Sequence, residues 1–105
     1  MSEKKKPTYD LDSFKKRCAK DDTLPITRTA LTSAYSLKLG KPEIVAIIGT
    51  MHRNQFYKSM TSNLDHTQWQ DVYHVPSDVG LLYVKFTGHV VTEFLLLSFK
   101  RKEDG

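Results

Sequence analysis

The chain has 105 residues, of which 39% are hydrophobic and 27% charged, and its formal net charge is +4 at pH 7. This length suits one globular domain, because two halves would each be too small to bury a core. No apolar run approaches the roughly 18 residues of a membrane-spanning helix, no apolar segment follows the basic N-terminus as in a secretory signal, and the single cysteine excludes an internal disulfide. We therefore expect a cytoplasmic protein with no membrane partner, whose positive charge favours a polyanion such as nucleic acid.

The N-terminal segment, residues 1–8, is polar and basic. We expect it to be flexible, with a single domain following over residues 9–102. Its Lys4-Lys5-Lys6 run is typical of a solvated tail rather than of a binding site.

Three helices are predicted in the first half of the chain. Leu11, Phe14 and Cys18 lie on one helical stripe, which predicts a first helix with Cys18 packed in the core as an unreactive thiol. The third helix is apolar on most sides and is expected to be the most buried. The second helix is predicted to begin at Thr27 or Thr29 and to end at Gly40, and the third to run from Pro42 to Gly49.

The second half alternates polar and apolar residues, which predicts an antiparallel meander. Strands are expected at 55–61, 68–75, 81–87 and 91–100, with a bend at 63–67. In the strand 81–87, the apolar side chains face one way while Tyr83 and Lys85 face the other. In the last strand, strict alternation places two sets of residues on opposite faces. One face has Leu95, Leu97 and Phe99, and the other has Leu96, Ser98 and Lys100. The predicted fold class is α+β, an antiparallel sheet with N-terminal helices packed on one face.

Several kinds of catalytic site are disfavoured by the residues available. One cysteine and four scattered histidines match no zinc-ligand spacing, and the five isolated glycines form neither a Walker loop nor a dinucleotide fingerprint. The Asp65-His66 pair could suggest a serine nucleophile at Ser59 or Ser62, but no nucleophile elbow supports one.

RNA cleavage needs a different set of groups, because the ribose 2′-hydroxyl is the nucleophile. The protein has to take that proton, stabilise charge on phosphorus and protonate the leaving oxygen. Lys and Tyr can do this without a metal, and a Lys among other cations has a lowered pKa. The sheet face away from the helices is expected to carry Lys58, Gln70, Tyr83 and Lys100. An ordinary solvated sheet face fits the same pattern, so both interpretations stay open on the residues alone.

Four segments together resemble the motility quorum-sensing regulator (MqsR) family of bacterial toxins. The similarity covers roughly residues 10–102 and is strongest from Phe56 to Tyr73, with looser matches at TRTAL and IVAIIG. The segments are FYKSM (56–60), DHTQWQDVY (65–73), LYVKF (82–86) and LLSFKRK (96–102).

The resemblance implies a RelE-like toxin fold and an mRNA interferase of a type II toxin–antitoxin system. It implies RNA cleavage without metal or other cofactor, preferentially at GCU sequences. It also implies a cognate zinc-containing antitoxin that inactivates the toxin, and contact with DNA only through the antitoxin complex, which represses its own operon. The active-site residues of the family fall on Lys58, Gln70, Tyr83 and Lys100 of this sequence.

The roles of these residues remain partly open. Tyr83 and one lysine are expected to act as general acid or base, and the other lysine to offset phosphorane charge. We favour Lys58 near the 2′-hydroxyl and Lys100 near the leaving group, although the reverse is also possible. Gln70 is expected to orient the phosphate or a base edge. Contacts to RNA are expected from Tyr57, His66, Tyr73, Lys85 and Arg101.

One departure from the family pattern follows WQDVY, where a basic residue is common and this chain has His74. A neutral histidine there would weaken a phosphate contact. Two other functions remain as alternatives, a non-catalytic RNA-binding module and a DNA-binding regulator. The second is disfavoured because no helix has the polar and basic face of a recognition helix.

Overall fold

The computed structural model describes residues 2–62, 67–88 and 94–102, and in these residues three helices are followed by the long strands of one sheet. This confirms the predicted α+β class. No helix among the described residues is long and apolar enough to cross a membrane. The elements are β1 (Glu3–Lys4), α1 (Leu11–Arg17), α2 (Arg28–Ser36), α3 (Lys41–Gly49), a 3₁₀ turn (Arg53–Gln55), β2 (Phe56–Thr61), β3 (Trp69–Ser77), β4 (Gly80–Gly88) and β5 (Phe94–Arg101).

The sheet is a meander whose strands lie in chain order, β1-β2-β3-β4-β5, with every neighbouring pair antiparallel. The predicted strand at 55–61 is confirmed as β2, whereas β3 continues through Pro76 to Ser77. The turn between β3 and β4 ends at Gly80, whose φ of 115° favours glycine. The predicted bend at 63–67 lies largely outside the described residues, as do residues 91–93 of the last predicted strand.

The N-terminal segment is held against the sheet by Asp71. This carboxylate is fully buried and accepts hydrogen bonds from the backbone N–H groups of Thr8, at 3.0 and 3.1 Å, and of Tyr9, at 2.9 Å. Beyond this anchor, β1 pairs along the edge of β2. The sequence predicted a flexible segment over residues 1–8. The pairing of Glu3–Lys4 with β2 leaves no local pattern in the sequence, because Asp71, which anchors the segment, lies far away along the chain.

Side-chain caps fix where the helices begin. Asp10 accepts a hydrogen bond from the Ser13 N–H at 3.0 Å at the start of α1. At the start of α2, Thr27 accepts one from the Ala30 N–H at 3.2 Å, which confirms one of the two predicted caps. A polar oxygen at these positions satisfies N–H groups that have no partner within the helix.

The end of α2 was predicted incorrectly. The helix ends at Ser36, and Lys38 then adopts a left-handed conformation with φ of 64°. The Lys38 N–H donates to the Tyr35 carbonyl at 2.8 Å. This hydrogen bond closes the end of the helix before the chain reaches Gly40. Gly40 is instead the N-cap of α3, where its N–H donates to Glu43 Oε1 at 2.8 Å.

The core lies between the helices and one face of the sheet. Phe14 of α1 stacks on Phe86 of β4 with ring centroids 3.7 Å apart, and α3 contributes Ile44 and Ile48. Burying each of these side chains stabilises the fold by about 1.5–3 kcal/mol. Although α3 is apolar on most sides, it is buried along one side only, because Val45 and Ile47 remain partly exposed.

Bulges interrupt the alternation of two strands. In β2 the pairing shifts between Phe56 and Lys58, so Tyr57 is an extra residue. In β5 the partner of Lys85 is Ser98 and that of Phe86 is Leu96, which leaves Leu97 as the extra residue. Leu96 and Phe99 are therefore both buried, contrary to the predicted alternation.

Candidate active site

The strand pairing brings the four predicted catalytic residues to one face of the sheet. Directly opposed residues of antiparallel strands share a face, and so do alternate residues of one strand. His74 pairs with Tyr83, and Tyr83 pairs with Lys100. Val72, which shares this face with His74, pairs with Lys58 and Lys85. Gln70 shares the face by alternation along β3.

Three of these four residues line one cleft, which we call the basic cleft. Its volume is about 420 Å³. Gln70 lies on the same face but is not among the residues that line it. Lys58, Tyr83 and Lys100 come from β2, β4 and β5, so the cleft forms only when these strands pair. The lining residues are Tyr57, Lys58, His74, Tyr83, Lys100, Arg101 and Lys102.

The bulge in β2 places Tyr57 in the cleft beside Lys58. Strict alternation would have put these two neighbours on opposite faces, whereas an extra residue re-aims the side chain. Tyr57 is 42% exposed and stacks on His74, with centroids 4.3 Å apart and ring planes at 22°. On its other side His74 contacts Tyr83 at 6.1 Å. The cleft therefore contains a row of three rings that could hold an unstacked base.

Positive charge dominates the cleft. Four of its seven lining side chains are cationic and none is acidic. Lys58 Nζ lies 5.4 Å from the Tyr57 ring centroid, and Lys100 Nζ lies 5.5 Å from that of Tyr83. Cations from two segments, β2 and residues 100–102, converge here and attract phosphate more strongly than one isolated lysine does.

Glu3 of β1 forms an ion pair with Lys58, with 3.0 Å between Oε2 and Nζ. The hydrogen bond that Lys58 donates to Glu3 raises the pKa of Lys58, and this outweighs the opposite effect of burial. A lysine among cations was expected to have a lowered pKa, and for Lys58 this expectation is wrong. A lysine with a raised pKa stays cationic, which suits it to bind phosphate and not to accept a proton.

Two other groups on this face have shifted pKa values. Burial is the main cause that raises the pKa of Tyr83, so its phenol stays protonated and can donate a hydrogen bond at neutral pH. Burial lowers the pKa of Lys85, and the nearby charge of Lys100 lowers it further. Lys85 does not line the cleft, although it lies on the same face.

His74 and Lys102 line the cleft but were not among the residues predicted for the site. His74 is the one of the two that can titrate near neutrality. Burial is the first cause that lowers its pKa from 6.5, and the charge of Lys102 is the second. Its ring is therefore neutral at pH 7. The signal was present in the sequence, because His74 is four residues from Gln70 and alternation puts both on one face. From the sequence, His74 was interpreted only as a neutral residue at a position where a basic residue is common.

The structure separates the predicted RNA-binding residues. Tyr57 and Arg101 line the cleft, and Arg101 Nε also donates to the Val79 carbonyl at 2.9 Å. His66 lies outside the described residues. The expectation that RNA contacts Tyr73 has to be corrected, because the Tyr73 ring is fully buried in the core. Its ring centroid lies 5.5 Å from that of Phe56. Burial also raises the pKa of Tyr73 to about 12.

Comparison with known proteins gives two matches. The family model described as "Motility quorum-sensing regulator, toxin of MqsA" matches residues 6–101. The mRNA interferase toxin MqsR of Escherichia coli strain K12 is 38% identical over 100 residues, which cover 95% of this chain and 99% of that protein. The matched range includes every residue that lines the basic cleft except Lys102.

Proposed function

The chain belongs to the family of the motility quorum-sensing regulator, the toxin of MqsA, and on this premise we propose that it is an endoribonuclease toxin that cleaves mRNA without a metal ion. The observation that carries the proposal is the basic cleft, in which Lys58, Tyr83 and Lys100 come together from three strands. Lysine and tyrosine can supply the charge and the proton that 2′-hydroxyl attack requires.

In the proposed reaction the ribose 2′-oxygen attacks phosphorus, and the bond from phosphorus to the 5′-oxygen breaks. Lys58, kept cationic by Glu3, binds the phosphate oxygens as negative charge develops on them. Lys100 or the protonated Tyr83 gives a proton to the leaving 5′-oxygen. Gln70, further along the same face, orients the phosphate or a base edge. The products are a 2′,3′-cyclic phosphate and a 5′-hydroxyl.

The proposed substrate and partners rest on the membership of the chain in this family. We infer a preference for GCU-type sites in single-stranded mRNA, with bases held by the Tyr57–His74–Tyr83 row. A cognate zinc-containing antitoxin is proposed to inactivate the protein, and DNA is proposed to be bound only through that complex. The protein is expected to meet both RNA and antitoxin in the cytoplasm.

The test is end-mapped cleavage of a defined GCU-containing RNA by the purified protein in the presence of EDTA. We expect cleavage that leaves a 2′,3′-cyclic phosphate. Lys58→Ala and Lys100→Ala should each lower the single-turnover rate by about 100-fold or more, the usual effect of removing charge stabilisation or an acid. Lys16→Ala is the matched control, because Lys16 is exposed on α1.

Cleavage that requires magnesium would contradict the metal-free mechanism. Retention of the wild-type rate in both Lys58→Ala and Lys100→Ala would contradict the assignment of the cleft. Binding of RNA without any cleavage would identify a non-catalytic RNA-binding module instead.

A further inference from the structure

We propose that His74 is the general base of this cleft and takes the proton from the ribose 2′-hydroxyl. The inference rests on the proposed function and adds to it the group that starts the reaction. His74 lines the same cleft as Lys58, Tyr83 and Lys100. It lies at the centre of the cleft because it pairs with Tyr83 across the sheet and stacks on Tyr57.

The chemistry of the lining residues favours His74 over its neighbours. The ordinary pKa of a lysine or tyrosine is about 10, so at neutral pH each carries its proton and cannot accept another. The pKa of Lys58 is raised further by its hydrogen bond to Glu3, and that of Tyr83 by burial. Histidine is the one lining residue type whose ordinary pKa lies near neutrality, and the pKa of His74 is lowered by burial and by Lys102. At pH 7 it is therefore an unprotonated base.

The surroundings of His74 hold its ring without using its nitrogen atoms. Tyr57 and Tyr83 contact the ring on its two sides, at 4.3 and 6.1 Å between centroids. Among the described residues neither ring nitrogen hydrogen-bonds to the protein, so one is free to meet a substrate hydroxyl. The charged and titratable groups that face it are Tyr57 and Lys58 from β2, Tyr83 from β4, and Lys100, Arg101 and Lys102 from β5 and the residue after it.

The unprotonated nitrogen of His74 accepts the proton of the 2′-hydroxyl while the 2′-oxygen forms a bond to phosphorus. The bond from phosphorus to the 5′-oxygen breaks, and that oxygen takes a proton from Lys100 or Tyr83. His74 is left as imidazolium beside Lys102 and returns its proton to water, while the deprotonated Lys100 or Tyr83 takes a proton back from water.

The experiment is the pH dependence of kcat/KM for RNA cleavage in EDTA, since this ratio reports groups of the free enzyme. The wild type should lose activity on the acid side, with a midpoint below 6.5, the ordinary histidine value. His74→Gln should lower kcat/KM by about 100-fold or more and remove this acid limb. His52→Gln makes the same substitution at an exposed histidine outside the cleft. It should keep both the wild-type kcat/KM and the acid limb of the pH profile.

A proton titration of the His74 ring in the wild type by NMR provides a second measurement that needs no variant to fold. Its midpoint should coincide with the kinetic one. The proposal is overturned if the two midpoints differ, or if His74→Gln keeps the acid limb, whether or not its rate falls. An acid limb that disappears only in Lys85→Met would transfer the role to Lys85. Absence of cleavage by the wild type would instead refute the proposed function, so the two failures are distinguishable.

Discussion

Asp71→Asn tests whether one buried carboxylate anchors the N-terminal segment. In the wild type two backbone donors, the N–H groups of Thr8 and Tyr9, point at the carboxylate, which is fully buried. Hydrogen bonds to a charged acceptor contribute about 1.5–3 kcal/mol each. An asparagine keeps one acceptor oxygen, while its amide group replaces the other and faces a backbone donor. The expected loss is therefore about 2 kcal/mol, close to the contribution of one such bond.

Thermal unfolding followed by far-ultraviolet circular dichroism measures this loss. At about 4–8 °C for each kcal/mol in a domain of this size, Tm should fall by about 8–16 °C. Asp78→Asn is the matched control, because Asp78 is exposed in the turn between β3 and β4, and it should leave Tm nearly unchanged. If Asp71→Asn lowers Tm no more than Asp78→Asn does, the carboxylate does not hold the segment.

Three further predictions concern single side chains. Glu3→Gln removes the carboxylate that pairs with Lys58 and should tighten RNA binding by about 1.4- to fivefold, the equivalent of the ~0.2–1 kcal/mol of a partly exposed ion pair. Unchanged affinity in a filter-binding assay would show that Glu3 does not compete with phosphate. Tyr73→Phe removes a buried hydroxyl that has no hydrogen-bond partner among the described residues, so Tm should stay the same or rise and RNA cleavage should be unaffected. Weaker RNA binding would show instead that this hydroxyl contacts RNA. Cys18 is fully buried, and burial raises its pKa to about 12, so iodoacetamide should modify it only as fast as the protein unfolds; rapid labelling of the native protein would contradict this.

Regular patterns in the sequence predicted much of the sheet and part of the site. Alternation along residues 81–87 predicted a buried face and an open face, and β4 has Val84 buried and Tyr83 partly exposed, as expected. The same reasoning placed Lys100 on the open face, where it pairs with Tyr83. These predictions succeeded because the strand segments concerned have no inserted residue.

The remaining features depend on contacts that no local pattern reveals. An extra residue in β2 brings Tyr57 to the same cleft as Lys58, and a bulge of this kind leaves no mark on the alternation. The N-terminal segment is anchored by a buried acceptor, Asp71, which lies more than 60 positions away along the chain. The pKa of His74 depends on burial and on Lys102, which only the folded sheet brings near.

The order of strands in the sheet has a consequence for the synthesis of the protein. Each long strand pairs with the one made just before it, so the sheet can be added to strand by strand as the chain leaves the ribosome. The last strand, β5, supplies the buried Leu96 and Phe99 together with Lys100. A nascent chain that stops before Phe94 therefore lacks both a closed core and a complete cleft. For a protein proposed to cut mRNA, the nuclease therefore cannot exist until the part of its message that encodes β5 has been read.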